Sequence, residues 1–367
     1  MKIKITKSNL VTALKTVKST VTGRGGLPIL MNVHLEAKKD GKLVLTTTNI
    51  DATLRTSAEC DVAEPGVTTL PHAILLTIAS KLQDGEVTIE VDSREKAVIR
   101  GGNSVFKLAG IAASEFPKLP AEDDAKVFTV VGKALAGQLR LVSYASSTDD
   151  TRRTLKSVLF SFKDQKLRLV ATDGRRLALC NEPQQYKEGQ DEDLVIPSIV
   201  IGDLIRFLSD SDGDVTISVA KTQIKIVIGD ITMYSKMIDD HFPNYMQVIP
   251  SEDGTQNIQV DTEQLREAID RVSVFSDLKE THSVKFSFKA GRLVISANCE
   301  TGGASDEIPI KYSGEDIDII LNPVYVLDPL KAITEDEITI RLKDGHTPAV
   351  ITTSMDFIYV LMPLRIQ

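Results

Sequence analysis

The sequence predicts an α+β protein of three tandem homologous domains, each with two helices packed on mainly antiparallel sheets. Two spacings predict it. Leu43, Leu167 and Leu293 hold the same place in "AKKDGKLVLTTTN", "FKDQKLRLVATD" and "FKAGRLVISAN", at offsets of 124 and 126 residues. Pro71, Pro197 and Pro323 recur at offsets of 126 and 126. Solenoid repeats run to about 20–50 residues, so a period this long marks whole domains.

Each repeat reads in the same order. A helical pattern comes first: Leu10, Ala13, Leu14 and Val17 recur as Leu265, Ala268, Ile269 and Val272, with "GKALAGQLRLVSYA" as the middle version. That spacing puts the apolar side chains on one helix face. The three hairpin stretches follow. Next come "PHAILLTIASKLQDG", "PSIVIGDLIRFLSDSDG" and "PVYVLDPLKAITED", each read as a helix opened by proline in its first turn. The strands "EVTIEV", "DVTISV" and "EITIRL" alternate with period two. Repeats one and two close on "SEFPKLP" and "DHFPNYMQVIP", and repeat three on "YVLMPLRIQ". The acidic runs "AEDDAK" and "SEDGTQ" set expected boundaries at 1–124, 125–254 and 255–367.

Composition narrows the function classes. The 367 residues are 42% hydrophobic and 26% charged, without tryptophan, so the cores must rest on Val, Ile and Leu. The formal net charge of −8 argues against a uniformly basic nucleic-acid binder, though not against basic residues gathered on one face. Three cysteines without a C-x-x-C pair favour neither a disulfide framework nor a zinc site. The N-terminus "MKIKITKSNLVTALK" has no apolar signal region and no long apolar run follows, which reads as a cytoplasmic protein.

The stretch "ATDGRRLALC", Ala171 to Cys180, poses the question of function. It looks like a catalytic turn, but Asp173-Gly174 occupies the place of Asn49-Ile50 and of Cys299-Glu300 in the other repeats. Asp173 therefore reads as a turn residue. Two adjacent arginines cannot both point inward from one strand. No Walker, dinucleotide, G-x-S-x-G or EF-hand pattern occurs, the five histidines are scattered, and the acidic runs at 148–150 and 190–193 read as solvated loops. Arg24, in the Gly-rich loop "STVTGRGG", and Arg152, at the matching place in repeat two, are suited to phosphate contacts. Lys7, Lys15, Lys18, Arg266 and Arg271 flank or lie on the helices.

Together, the three copies with "LPIL" at 27–30, "VATDGRRLA" at 170–178, "FPNY" at 242–245 and the terminal "MPLR" resemble the bacterial DNA sliding clamps, the β subunits of DNA polymerase III. The resemblance spans essentially the whole chain. It implies a DNA-clamp fold and a head-to-tail homodimeric ring around double-stranded DNA. The implied function is non-catalytic, with neither cofactor nor metal: a processivity factor that tethers polymerase. The implied partners are the polymerase III catalytic subunit, the clamp loader, and other polymerases and repair proteins bearing clamp-binding peptides.

By the same resemblance, "ATDGRRLALC" forms one wall of a peptide pocket between domains 2 and 3. The pocket is assigned to Leu155, Thr172, Gly174, Arg175, Arg176, Leu177, Pro243, Val248, Val360, Met362, Pro363, Leu364 and Arg365. The apolar members would form the floor, and Thr and Arg the polar anchors. The dimer seam is assigned to Ile74, Phe106 and Leu108 against Val274, Phe275 and the "ANCETGGASDEI" edge. Arg24 and Arg152 are the DNA contacts. Arg175 departs from the family's frequent His, Gln247 from a basic residue, Ile74 from a lysine, and "TRRTL" from an aromatic pair. On the residues alone, a peptide scaffold that never encircles DNA and an enzyme with a site in 148–176 remain open.

Overall fold

Every strand pairing joins antiparallel neighbours in the computed structural model, which describes residues 1–21, 27–119, 125–187, 190–209, 211, 213–276 and 282–365. Each repeat runs strand, helix, four strands, helix, three strands, with one extra short strand, Asp61–Glu64, in the first. Six α-helices lie among the described residues: α1 (Lys7–Thr16), α2 (His72–Lys81), α3 (Gly132–Val142), α4 (Ser198–Ser209), α5 (Thr262–Ser276) and α6 (Pro323–Ala332). None is long and apolar enough to cross a membrane.

The backbone gathers into two compact units, residues 1–133 with 206–237, and residues 134–205 with 238–367. The first holds a five-stranded sheet ordered Asp61–Glu64, Lys2–Thr6, Glu86–Val91, Lys96–Gly101, Ser104–Ala109. Its eight-stranded sheet joins strands of two repeats, because Ile231–Lys236 pairs with Ala52–Glu59. The second unit repeats the scheme. Its eight-stranded sheet is joined where Arg176–Pro183 pairs with Phe357–Leu361, and its four-stranded sheet ends at the edge strand Gly302–Pro309.

Local chemistry explains the helices. In α1, Leu10, Ala13 and Leu14 are buried, followed by Val17 just past its end; in α5, Leu265, Ala268, Ile269 and Val272 are buried, on the faces the spacing predicts. Each such large apolar side chain stabilises the fold by roughly 1.5–3 kcal/mol. The Thr6 hydroxyl caps α1 by accepting from Asn9 N at 3.2 Å, and Asn322 caps α6 by accepting from Val324 N at 2.9 Å. The expectation of first-turn prolines holds only for Pro323. Pro71 and Pro197 end the preceding strands, one residue earlier, where the ring fixes the exit angle without removing a helix donor.

The first two repeats share a hydrogen-bonded hairpin tip. In repeat one the Thr48 hydroxyl accepts from Ile50 N at 3.1 Å, and Asn49 Oδ1 accepts from Asp51 N (3.1 Å) and Ala52 N (2.7 Å). Thr172, Asp173 and the three residues after them repeat this pattern. A strand from elsewhere in the chain then docks alike: Lys236 N donates to Asp51 O at 2.9 Å, as Met362 N does to Arg175 O at 3.0 Å. The copies differ in that Ile50, a β-branched residue at φ +79° and 52% exposed, stands where the second copy has Gly174 at φ +88°. Strain at such a position is on the order of 1–3 kcal/mol. Ile50→Gly is therefore expected to raise stability by about 1 kcal/mol after glycine's extra unfolded-state entropy. A urea midpoint at or below that of the parent would contradict this.

Candidate partner-binding site

Within the second unit, Thr172 ends strand Lys166–Thr172 and Arg176 opens strand Arg176–Pro183. The Thr172 hydroxyl donates to Arg176 O at 2.6 Å and accepts from Gly174 N at 3.1 Å. Asp173 Oδ1 accepts from the N–H groups of Arg175 (2.8 Å) and Arg176 (3.1 Å). These bonds fix the turn, and the positive φ explains the glycine. Asp173 is thus the turn residue the sequence suggests. Arg175, still in the turn, is exposed, and Arg176, the first residue of the strand, turns its side chain inward.

The C-terminal strand lies alongside. Leu177 sits opposite Val360 and Arg176 opposite Leu361. Beyond the ladder, Met362 N bonds Arg175 O and Leu364 N donates to Ile320 O at 2.8 Å. Read in isolation, the "MPLR" stretch is the end of an edge strand. The structure instead makes Phe357–Leu361 an interior strand, with Ala349–Thr352 on its other side. Leu177 and Val360 are buried with Leu159, Val170, Leu179, Val195 and Val350, and Phe242, Tyr245 and Ile249 pack against this cluster. Met362 stays 47% exposed and Val248 is also exposed. Pro243 and Arg365 are exposed, while Leu155, Pro363 and Leu364 are half-buried. The Leu155 carbonyl accepts from Ser147 N at 2.8 Å.

Arg176, expected as a polar anchor, is held within the protein. Its side chain is 9% exposed and each guanidinium nitrogen has a partner within the protein. Nε donates to Asp173 Oδ2 (3.1 Å), Nη1 to Asp328 Oδ2 (2.5 Å) and Nη2 to Tyr144 O (2.6 Å). Its carbon lies 4.3 Å from the Tyr325 ring centroid and 5.8 Å from that of Tyr144. Burial opposes the charge, yet Tyr359 and Asp328 raise the Arg176 pKa above its ordinary value. Burial also pushes the Tyr144 hydroxyl well above its usual range and raises that of Tyr359, so both stay neutral. The Cys180 thiol is pushed up to about 12, foremost by burial, and does not supply a thiolate nucleophile. Among the described residues no group of three or more His, Cys, Asp or Glu could hold a metal ion.

The other candidates lie elsewhere. Arg24 falls outside the described residues. Arg152 is exposed, with Nε 3.7 Å from Asp149 Oδ2, and its Nη1 would lie 3.9 Å from a Cβ placed at Gly174. It therefore lies beside the turn as well as on the loop read as DNA-facing. Lys7 pairs with Asp84 at 2.9 Å, Arg266 with Glu263, and Arg271 with Asp306 at 2.6 Å. Phe106 and Leu108 are half-buried on the edge strand Ser104–Ala109, where Val105 is 58% exposed. Ile74 on α2 is exposed. In the second unit, Val274 of α5 is 61% exposed. Phe275 lies against the edge strand, where a Cβ at Gly302 would sit 3.0 Å from its ring.

Three family descriptions match in sequence. The DNA polymerase III beta subunit N-terminal domain covers residues 1–120, the central domain 129–244 and the C-terminal domain 246–365. The chain belongs to the DNA polymerase III beta subunit family. Among curated beta subunits, it is 32% identical over 372 residues to the beta sliding clamp of Pseudomonas aeruginosa and 29% identical over 368 residues to that of Chlamydia muridarum. Both alignments cover 100% of each chain. Among solved structures, DnaN sliding clamps from P. aeruginosa and Bartonella birtlesii, each bound to griselimycin, align over 100% of both chains. Both have a TM-score of 0.94, at 30% and 31% identity.

Sequence patterning does not single out Tyr144, Phe242, Tyr245, Tyr325, Asp328 and Tyr359 as neighbours of this surface, where the structure gathers them. Asp328 did carry a signal. It is an acid inside the apolar run "VYVLDPLK", between buried Leu327 and Pro329, where a charge calls for a partner. Phe242 and Tyr245 flank Pro243 in "FPNY", where the resemblance assigns a role to the proline alone. The structure packs the two aromatic residues against the cluster and leaves the proline outside.

Proposed function

We propose that two copies of this chain, each of three domains (1–124, 125–254 and 255–367), close head to tail into a ring around duplex DNA. The ring is a non-catalytic processivity factor of DNA polymerase III that acts in the cytoplasm. The observation that carries this reading is the ordered match of all three beta subunit domains along the whole chain. Two open sheet edges support closure, Ser104–Ala109 in one unit and Gly302–Pro309 in the other. An unpaired edge invites pairing, and pairing each edge with the other from a second copy leaves neither open. Arg24 and Arg152 would meet phosphates without reading bases, so that the ring slides.

The groove beside Leu177, Val360 and Met362 is the seat for partner peptides. These come from the polymerase III catalytic subunit, the clamp loader, and other polymerases and repair proteins. Leu155, Pro243, Val248, Pro363 and Leu364 add apolar contacts, and Arg175 and Arg365 supply charge at the rim. Griselimycin, bound by relatives of this chain, is the probe for this groove. The reading is tested on a nicked DNA circle: a closed ring stays threaded on it and leaves once the circle is cut.

A further inference from the structure

We infer that Asp328 is a positioning residue of the partner groove, acting through Arg176. The inference rests on the reading of this surface as the peptide seat.

The turn that forms one wall of the groove is held from behind by one side chain. Asp173 uses one oxygen for the backbone N–H groups of Arg175 and Arg176, and the other for Arg176 Nε. Arg176 thus grips the turn it belongs to. The far end of the guanidinium is held by Asp328 through Nη1 and by the Tyr144 carbonyl through Nη2. Asp328 comes from α6, 152 residues away in sequence. The same helix supplies Tyr325, whose ring faces the guanidinium and whose carbonyl accepts from the Tyr359 hydroxyl at 2.7 Å. Tyr359 precedes Val360, the groove residue laddered to Leu177. Through Asp328 and Tyr325, α6 therefore sets both walls, the turn 172–176 and the strand Phe357–Leu361.

A nearly buried guanidinium that loses one of two carboxylates leaves a donor unsatisfied. The side chain then leaves its seat between Tyr144 and Tyr325 for part of the time, and the turn moves with it. Only molecules with the turn in place accept a ligand. The apparent dissociation constant rises by the inverse of the competent fraction, and the loss appears in association. A residue that touched the ligand directly would instead change dissociation.

The test measures griselimycin binding to the immobilised dimer by surface plasmon resonance. Asp328→Asn keeps the shape and removes the charge, and is expected to slow association about tenfold with dissociation within about twofold of the parent. Asp328→Glu, which keeps the charge but displaces it, is expected to slow association by a smaller factor, and carries the test if the first variant does not fold. An unchanged association rate in a folded dimer, or a loss confined to dissociation, would overturn the role of Asp328. The groove reading fails separately, and this inference with it, if the parent chain does not bind griselimycin or binds it equally after deletion of residues 362–367.

Discussion

Deleting residues 362–367 is expected to weaken griselimycin or polymerase-tail peptide binding by about a hundredfold while leaving the dimer intact. The affinity loss follows from Met362, which stands half-exposed where the chain leaves the ladder beside Arg175. Covering such a side chain with a ligand anchor is worth roughly 1.5–3 kcal/mol, and each 1.4 kcal/mol is about tenfold. Loss of the Leu364 contact removes part of the rim as well. The fold should survive, because the ladder from Arg176–Leu361 to Cys180–Phe357 lies upstream of the cut. Calorimetric titration of the truncated dimer checks it. Parent affinity in a folded truncation would remove the tail from the site.

Replacing Phe106 and Leu108 together with glutamate is expected to convert the dimer to monomers at micromolar concentration. Both lie on the free edge strand Ser104–Ala109, and the ring would cover that strand with the Gly302–Pro309 edge and the α5 residues Val274 and Phe275 of a second copy. A buried unpaired carboxylate costs several kcal/mol, two are introduced at each seam, and the ring has two seams. Phe106 and Leu108 are half-buried within their own chain, so Val105→Glu, on the more exposed position, should shift the equilibrium in the same direction with less disturbance to the fold. Sedimentation equilibrium reads both variants. An unchanged dimer in the double variant would place the seam elsewhere.

What the sequence made legible was periodic. Three hairpins at a fixed spacing, and apolar residues at helical and alternating intervals, disclose the repeated strands and helices because backbone geometry itself has those periods. The turn at 172–176 was legible too, since Thr, Asp and Gly act on their own neighbours. The ladder between Leu177 and Val360 was not visible in periodicity. It depends on a strand 183 residues downstream entering the same sheet, and only the family resemblance joined the two segments. The internal partners of Arg176 were hidden for a related reason. Two of its three partners are a carboxylate 152 residues away and a backbone carbonyl on the turn after α3, and a sequence marks neither as facing it. The interior place of the last strand, Phe357–Leu361, was equally hidden, because both of its neighbours are set by the sheet and not by its own residues.

Retention on DNA tests the central claim most directly. The labelled chain is loaded onto a nicked plasmid circle by the clamp loader, passed through a gel-filtration column in high salt, and then the circle is cut at one site. The ring account predicts that the protein travels with the circle at a salt concentration that abolishes phosphate contacts, and that it is lost on linearisation, since nothing but topology holds it. Release from the intact circle in high salt, or equal retention on circular and linear DNA, would contradict encirclement.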